Sequence, residues 1–466
     1  REDDLFIPPA DTGDAMDGDT VQVIINENGR GGRTEARVLK VLKHANETLI
    51  GTFEKNKNFG FVIPDNPRIT MDVFIPQGKE NGAVSGHKVV VKLDTYATGN
   101  KNPEGHVKEI LGHINDPGVD ILSIVRAYGL PEEFPEAVME EVARVPELLS
   151  PEYVAEEIEK NGRVDLRKIP MVTIDGEDAK DLDDAISLTL TDDGYILGVH
   201  IADVSHYVPY GGCVEKEARE RGTSVYFVDK VVPMLPESLS NGACSRNPGE
   251  DKYALTCAIA LDKNGSRMGG AVYRSLIRST VRGVYSEVNA LLDGTAGVEL
   301  HEKYAQVMPT LREMHKLYGH LQRQAADRGV LELSDQETEI VLDADGMPIE
   351  LKRRERGEAE KMIEQFMLCA NMTVAELLYD HALPCLYRIH ETPDAEKIAS
   401  FGIFAHNLGL QAGDIVPEAV KKPAALSQSL RRVLREAQER GLGDTVSAVL
   451  LRSMMKAKYV AECAPH

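Results

Sequence analysis

The chain has 466 residues and a formal net charge of −22. That length holds several domains, each with a sizeable core. No apolar run approaches the ~20 residues that a membrane helix needs, which argues against an integral membrane protein. The acidic balance argues against one continuous nucleic-acid footprint, because phosphate binding draws on Lys and Arg. A polyanion would have to be met by local basic channels or bridging cations. The six cysteines are scattered without a Cys-x-x-Cys pair, and the chain opens Arg1-Glu-Asp-Asp with no signal peptide. Reduced thiols and a cytoplasmic location are expected.

Residues 4–25 and 72–93 repeat one another at a constant offset of 68. Asp4-Leu-Phe-Ile-Pro8 matches Asp72-Val-Phe-Ile-Pro76, and Ala15, Gly18, Val21 and Val23 match Ala83, Gly86, Val89 and Val91. The repeat predicts tandem copies of one small β-barrel, the first over 1–30 with its closing strands only, the second over 34–112. On this reading the chain begins inside a domain. Within the second copy, Lys55-Asn-Lys-Asn-Phe-Gly-Phe-Val-Ile-Pro64 interleaves basic residues with Phe59 and Phe61. Aromatics alternating on a strand beside lysines can stack single-stranded bases, or can equally fill a barrel core. Residues 113–168 are expected to form a helical connector, opened by the turn and cap signal Asn115-Asp-Pro-Gly118.

From Ile169 a mixed α/β domain is expected through 466, giving an α+β multidomain chain. Six acidic side chains fall between Asp175 and Asp184, with Lys180 the only cation among them. The flanks Ile169-Pro-Met-Val-Thr-Ile174 and Ala185-Ile-Ser-Leu-Thr-Leu190 read as buried strands. Like charges between buried strands repel and are costly to desolvate unless a cation neutralises them. Oxygen ligands without Cys or His favour magnesium, manganese or calcium over zinc and copper. An EF-hand loop fails by position, since Lys180 stands where Gly is needed and Ile186 where a bidentate Glu belongs. A magnesium site and a solvated acidic hairpin remain. The long apolar strand expected over Tyr195–Val208 would carry His200 and His206 on one face, as core or supporting groups without a third metal ligand. Glu358–Asn371 reads as an amphipathic helix, with Met362, Ile363, Phe366, Met367, Ala370 and Val374 on its apolar side and Glu364 beside them.

The acid loop, then Val199-His-Ile-Ala-Asp-Val-Ser-His-Tyr, Val232-Pro-Met-Leu-Pro and Ile363-Glu-Gln-Phe-Met-Leu, in that order, resemble the ribonuclease II (RNB) family. Tandem cold-shock (OB-fold) barrels ahead of an RNB catalytic domain are similar to its ribonuclease R branch. The resemblance implies a processive, magnesium-dependent 3′-to-5′ exoribonuclease, with manganese a possible substitute, releasing nucleoside 5′-monophosphates from single-stranded RNA. It implies catalytic roles for Asp175, Asp181, Asp183 and Asp184, of which Asp175, Asp183 and Asp184 hold the metal. By the same resemblance Tyr226 orients the terminal nucleotides, and Tyr285 and Glu364 meet the last sugar. Leu333 stands where some relatives carry a base-stacking Phe. The family motif carrying the arginine that meets the reacting phosphate is expected to begin about where this chain ends. The chain alone is therefore expected to be weak or inactive unless a separate chain supplies that part. A catalytically silent RNA-binding relative and a magnesium phosphohydrolase of small phosphoesters are the competing readings.

Overall fold

A computed structural model describes residues 4–26, 34–99, 101–146, 148–331, 333, 337–354 and 356–464. The chain divides into two compact units. The first is Arg1–Glu133 with Thr223–Val232 and Ile340–Glu350; the second is Phe134–Gly222 with Pro233–Glu339 and Leu351–His466.

In the first unit, the strands Thr48–Lys55, Phe59–Pro64, Val73–Pro76, Glu104–His113 and His87–Thr95 close into a barrel in that order. Strand alternation sends Phe53, Val62, Val73, Ile75, Val89 and Val91 inward to the core. Gly60 is required here, because a Cβ on it would lie 2.4 Å from the buried Phe53 ring. Ahead of the barrel, Thr20–Asn26 pairs antiparallel with Glu35–Lys43, and Phe6 bridges Glu35 in parallel. The barrel repeats this pattern, with His87–Thr95 antiparallel to Glu104–His113 and Phe74 paired in parallel with Glu104. The expected boundary near residue 30 is corrected: Glu35–Lys43 closes the first copy, and the second barrel begins at Thr48. Single-sequence matching stopped where side-chain identity did, whereas the pairing carries the repeat on to Lys43.

The expected 113–168 connector is likewise not one element. Val119–Ala127 belongs to the first unit, where Arg126 Nε donates to both Glu109 oxygens at 3.2 Å. Glu136–Val142 and Pro151–Glu159 belong to the second unit, and Val164–Asp165 joins its sheet.

That sheet has seven strands in the order Val281–Val284, Met171–Asp175, Asp184–Thr191, Gly194–Ala202, Asp251–Asp262, Arg267–Arg278, Val164–Asp165. The interior pairs are antiparallel and the two edge pairs parallel. One face presents Ile186, Leu188, Leu197, Val199, Ile259 and Leu261 to the helices Tyr285–Asp293, Met308–Arg328 and Glu358–Asp380. All six apolar positions expected on the last of these helices pack there. The opposite face carries a buried polar rung: Ser187 Oγ lies 2.9 Å from His200 Nε2, His200 Nδ1 2.8 Å from Thr256 Oγ1, and Thr256 Oγ1 2.6 Å from Ser275 Oγ. Burial pushes His200 down to about 3, so it is a neutral, satisfied core histidine. The strand expected through Val208 ends at Ala202, and His206 sits on the helical turn Val204–Tyr207 instead. A second helical cluster, built by Ala395–Asn407, Pro423–Glu439 and Gly443–Ser453, packs Leu333 against it.

Candidate active site

The acid loop hangs between the antiparallel strands Met171–Asp175 and Asp184–Thr191, as the apolar flanks predict. Leu182 anchors it at 1% exposure. Its backbone is held from outside the loop. Leu182 N donates to Ser245 Oγ at 3.2 Å, Ser245 Oγ donates to Lys180 O at 3.0 Å, and Arg246 N donates to Leu182 O at 2.9 Å. On the other flank Arg282 Nη2 donates to the carbonyls of Glu177 and Ala179 at 2.7 and 2.8 Å.

The carboxylates crowd one another. Burial, and then the charges of Asp184, Asp181 and Asp183, push Asp175 up to about 7 against the opposing pull of Arg282. Burial and Asp183 push Asp184 up to about 6, with Arg246 opposing. Asp183 faces solvent, yet the packing around it and the charge of Asp181 still raise it. Asp175 Oδ2 is buried without a hydrogen-bond partner. Among the described residues, no three His, Cys, Asp or Glu side chains are drawn together closely enough to hold a metal as they stand. Mutual repulsion accounts for that spacing. An orphaned carboxylate oxygen among hard oxygen donors with raised pKa values suits a hard divalent cation.

Tyr285 enters this neighbourhood by register. Val284 pairs with Asp175 in the parallel edge of the sheet, and Tyr285 is the next residue, opening its helix. Tyr304, fully buried, donates from its hydroxyl to Glu287 and accepts from Val284 N at 3.0 Å, fixing that junction. Burial and the charges of Asp175, Asp184 and Glu360 push the Tyr285 phenol up to about 12. Tyr285 and Glu364 line one open cleft of about 380 Å³ with Arg354, Arg356, Glu360 and Ile363.

Tyr226 belongs to the first unit, on the short hairpin of Val225–Tyr226 and Val231–Val232, and is 65% exposed. Phe59 and Phe61 are half-buried on the outer face of the barrel rather than in its core. Phe74 completes a cluster with them, at ring-centroid distances of 5.5, 5.6 and 5.7 Å. Sequence reasoning quoted the Phe74 strand without assigning that ring a role. It also missed Ser245, Arg246 and Arg282, whose contacts to the loop span about 60 to 105 residues of chain and leave no local pattern.

Comparison with known proteins decides the relationship, for residues 163–466 match the RNB domain. The chain belongs to the RNB-domain family. Ahead of that match lie a cold shock domain over 61–135 and a Ribonuclease B OB domain over 1–41. The latter agrees with the corrected first barrel. Ribonuclease R of Thermotoga maritima is 37% identical over 98% of this chain and 63% of its own length. Ribonuclease R of Vibrio parahaemolyticus is 36% identical over 100% of this chain and 54% of its own length. This RNB-family chain thus spans between half and two thirds of the curated relatives it matches. Mycoplasma genitalium RNase R, solved in complex with ribose methylated single-stranded RNA, superposes with a TM-score of 0.90 at 29% identity over 99% of this chain and 71% of that one.

Proposed function

We propose that this RNB-family chain is the catalytic part of a magnesium-dependent exoribonuclease that shortens single-stranded RNA from its 3′ end and releases nucleoside 5′-monophosphates. The observation that carries the reading is Asp175: half-buried, with one oxygen unpartnered, crowded by three further aspartates and set beside Tyr285 by strand register. The solved M. genitalium relative with single-stranded RNA supports the substrate class.

Asp175, Asp183 and Asp184 would hold the divalent ion, magnesium or manganese, and Asp181 would help place the attacking water. When bound, such an ion supplies a polarised phosphoryl group, a more acidic water and a stabilised leaving oxygen. Tyr285 and Glu364 would receive the last sugar, where a carboxylate and a phenol can recognise a 2′-hydroxyl that both donates and accepts. Phe59 and Phe61, with Phe74, would stack bases of the incoming strand. Hydrolysis of end-labelled single-stranded RNA with magnesium tests this. Mononucleotide release that disappears in Asp183→Asn is the expected result.

A silent RNA-binding relative is the second reading, favoured by the spacing of the carboxylates as they stand. RNA bound but never shortened, in wild type and Asp183→Asn alike, would establish it.

A further inference from the structure

Arg246 is 1% exposed, and its Nε, Nη1 and Nη2 atoms have no hydrogen-bond partner among the described residues. Burying a cation in this way is strongly unfavourable unless opposite charge lies close by. Burial pulls the Arg246 pKa down, but a guanidinium starts high enough to stay charged. The carboxylates whose charge reaches it are Asp183 and Asp203, and its own charge in turn opposes the rise of Asp183 and Asp184. Asp203 already accepts from Arg163 Nη2 at 2.8 Å, with Ser205 Oγ donating to it at 3.0 Å. The unmatched negative charge that Arg246 faces is therefore the acid loop.

Its root cannot drift away from that loop, because Arg246 N and the adjacent Ser245 Oγ both bond to Leu182. At the other end of the cluster Arg282 is fixed on two loop carbonyls and its charge opposes the rise of Asp175. Lys180 is exposed, so solvent screens it. Four aspartates set against two fixed guanidinium groups leave two negative charges, which one divalent cation neutralises. A second divalent ion would enter a site with no net negative charge left to hold it, beside a buried cation that repels it.

We propose that Arg246 is a positioning residue and the fixed counter-cation of the acid loop, taking the charge place of a second metal, so that the loop loads a single divalent ion. This rests on the metal-dependent reading above. A core-filling arginine would have no such effect on metal number.

Titration of the 466-residue chain with manganese(II), read by calorimetry and by the electron paramagnetic resonance of free manganese, tests it. Wild type takes one ion per chain. Arg246→Met, which keeps bulk and removes charge, admits a second ion or binds the first about tenfold more tightly, as loss of a cation within several ångströms requires. Arg246→Lys, which keeps charge, stays at one ion. Two ions in wild type or in folded Arg246→Lys overturn the proposal, as does a folded Arg246→Met indistinguishable from wild type. Should Arg246→Met fail to fold, the wild-type and Arg246→Lys stoichiometries still decide. An RNA-shortening assay on the same samples separates the two levels. Two bound ions with RNA shortened defeat the counter-cation alone, whereas no bound ion with RNA intact defeats the metal-dependent reading as well.

Discussion

Arg356 Nη2 donates to Glu364 Oε2 at 2.5 Å on the wall of the cleft that also carries Tyr285. Both side chains are substantially exposed, so the pair adds at most about 1 kcal/mol to folding. Its consequence is orientation, since the carboxylate is held where a sugar beside Tyr285 would meet it. Glu364→Gln replaces an acceptor-only group by an amide of nearly the same shape. We expect kcat/KM for RNA ending in ribose to fall relative to the same strand ending in 2′-deoxyribose. The loss should match one charge-assisted hydrogen bond, about 1.5–3 kcal/mol, with the urea midpoint unchanged. An unaltered ribose preference would place sugar recognition elsewhere.

The raised carboxylates give the protein a pH signature. Asp175 and Asp184 are held near 7 and 6 by burial and by their neighbours' charge. The unfolded chain releases the same protons near pH 4, so the folded state keeps protons that the unfolded state has lost. Their contribution to stability is complete below about pH 4 and is lost as the pH rises through 6 and 7. Without a divalent ion, Tm should fall from about pH 5 to 8 by this route. Because an ion takes ionised carboxylates, added magnesium or manganese should raise Tm little at the acid end and progressively more toward pH 8. Thermal melts across that range, with and without the ion, check it. A metal-induced shift that ignores pH contradicts the assignment of these two aspartates.

Ser245 is fully buried and bridges two backbone groups of the acid loop, accepting from Leu182 N and donating to Lys180 O. Ser245→Ala leaves that N–H and that carbonyl without these partners. We expect a loss of about 1–3 kcal/mol from unmet buried polar groups, read by urea unfolding. Manganese affinity should weaken as well, because the loop that carries the ligands is no longer pinned. Stability lost with affinity unchanged would mean that the bridge holds the fold and not the site.

The acid loop was legible because its chemistry is local: six acids in ten residues, framed by strands whose period-2 pattern buries them. The apolar face of the Glu358–Asp380 helix was legible for the same reason, its periodicity lying within one element. Tyr285 and Glu364 were reached only through the family resemblance, since a lone Tyr and a lone Glu have no pattern of their own. Asp203 marks the opposite failure. The apolar run continues past it to Val208, but the chain turns into a helix there, and Asp203 is drawn down onto the buried Arg163. That partner lies 40 residues away. Arg246 and Arg282 were hidden because a charge set by tertiary packing looks, in sequence, like any surface arginine. The barrel boundary was missed because pairing of Thr20–Asn26 with Glu35–Lys43 outlasts the sequence identity of the repeat.

Phe53 and Phe74 separate stability from binding within one barrel. Phe53 is 1% exposed and Gly60 lies against its ring, while Phe74 is half-buried on the outer face with Phe59 and Phe61. Phe53→Ala opens a core cavity and should cost about 3–5 kcal/mol of barrel stability. Gly60→Ala, whose new methyl would collide with that ring, should cost about 1–3 kcal/mol. Phe74→Ala should leave the unfolding midpoint close to wild type and weaken single-stranded RNA binding by about 1–3 kcal/mol, the worth of one stacked base. Fluorescence anisotropy with a labelled oligonucleotide, set beside urea unfolding of the same variants, resolves the two effects. Equal RNA affinity in wild type and Phe74→Ala would show that the aromatic cluster is not a base platform. Lost stability in that variant would show the ring to be part of the core.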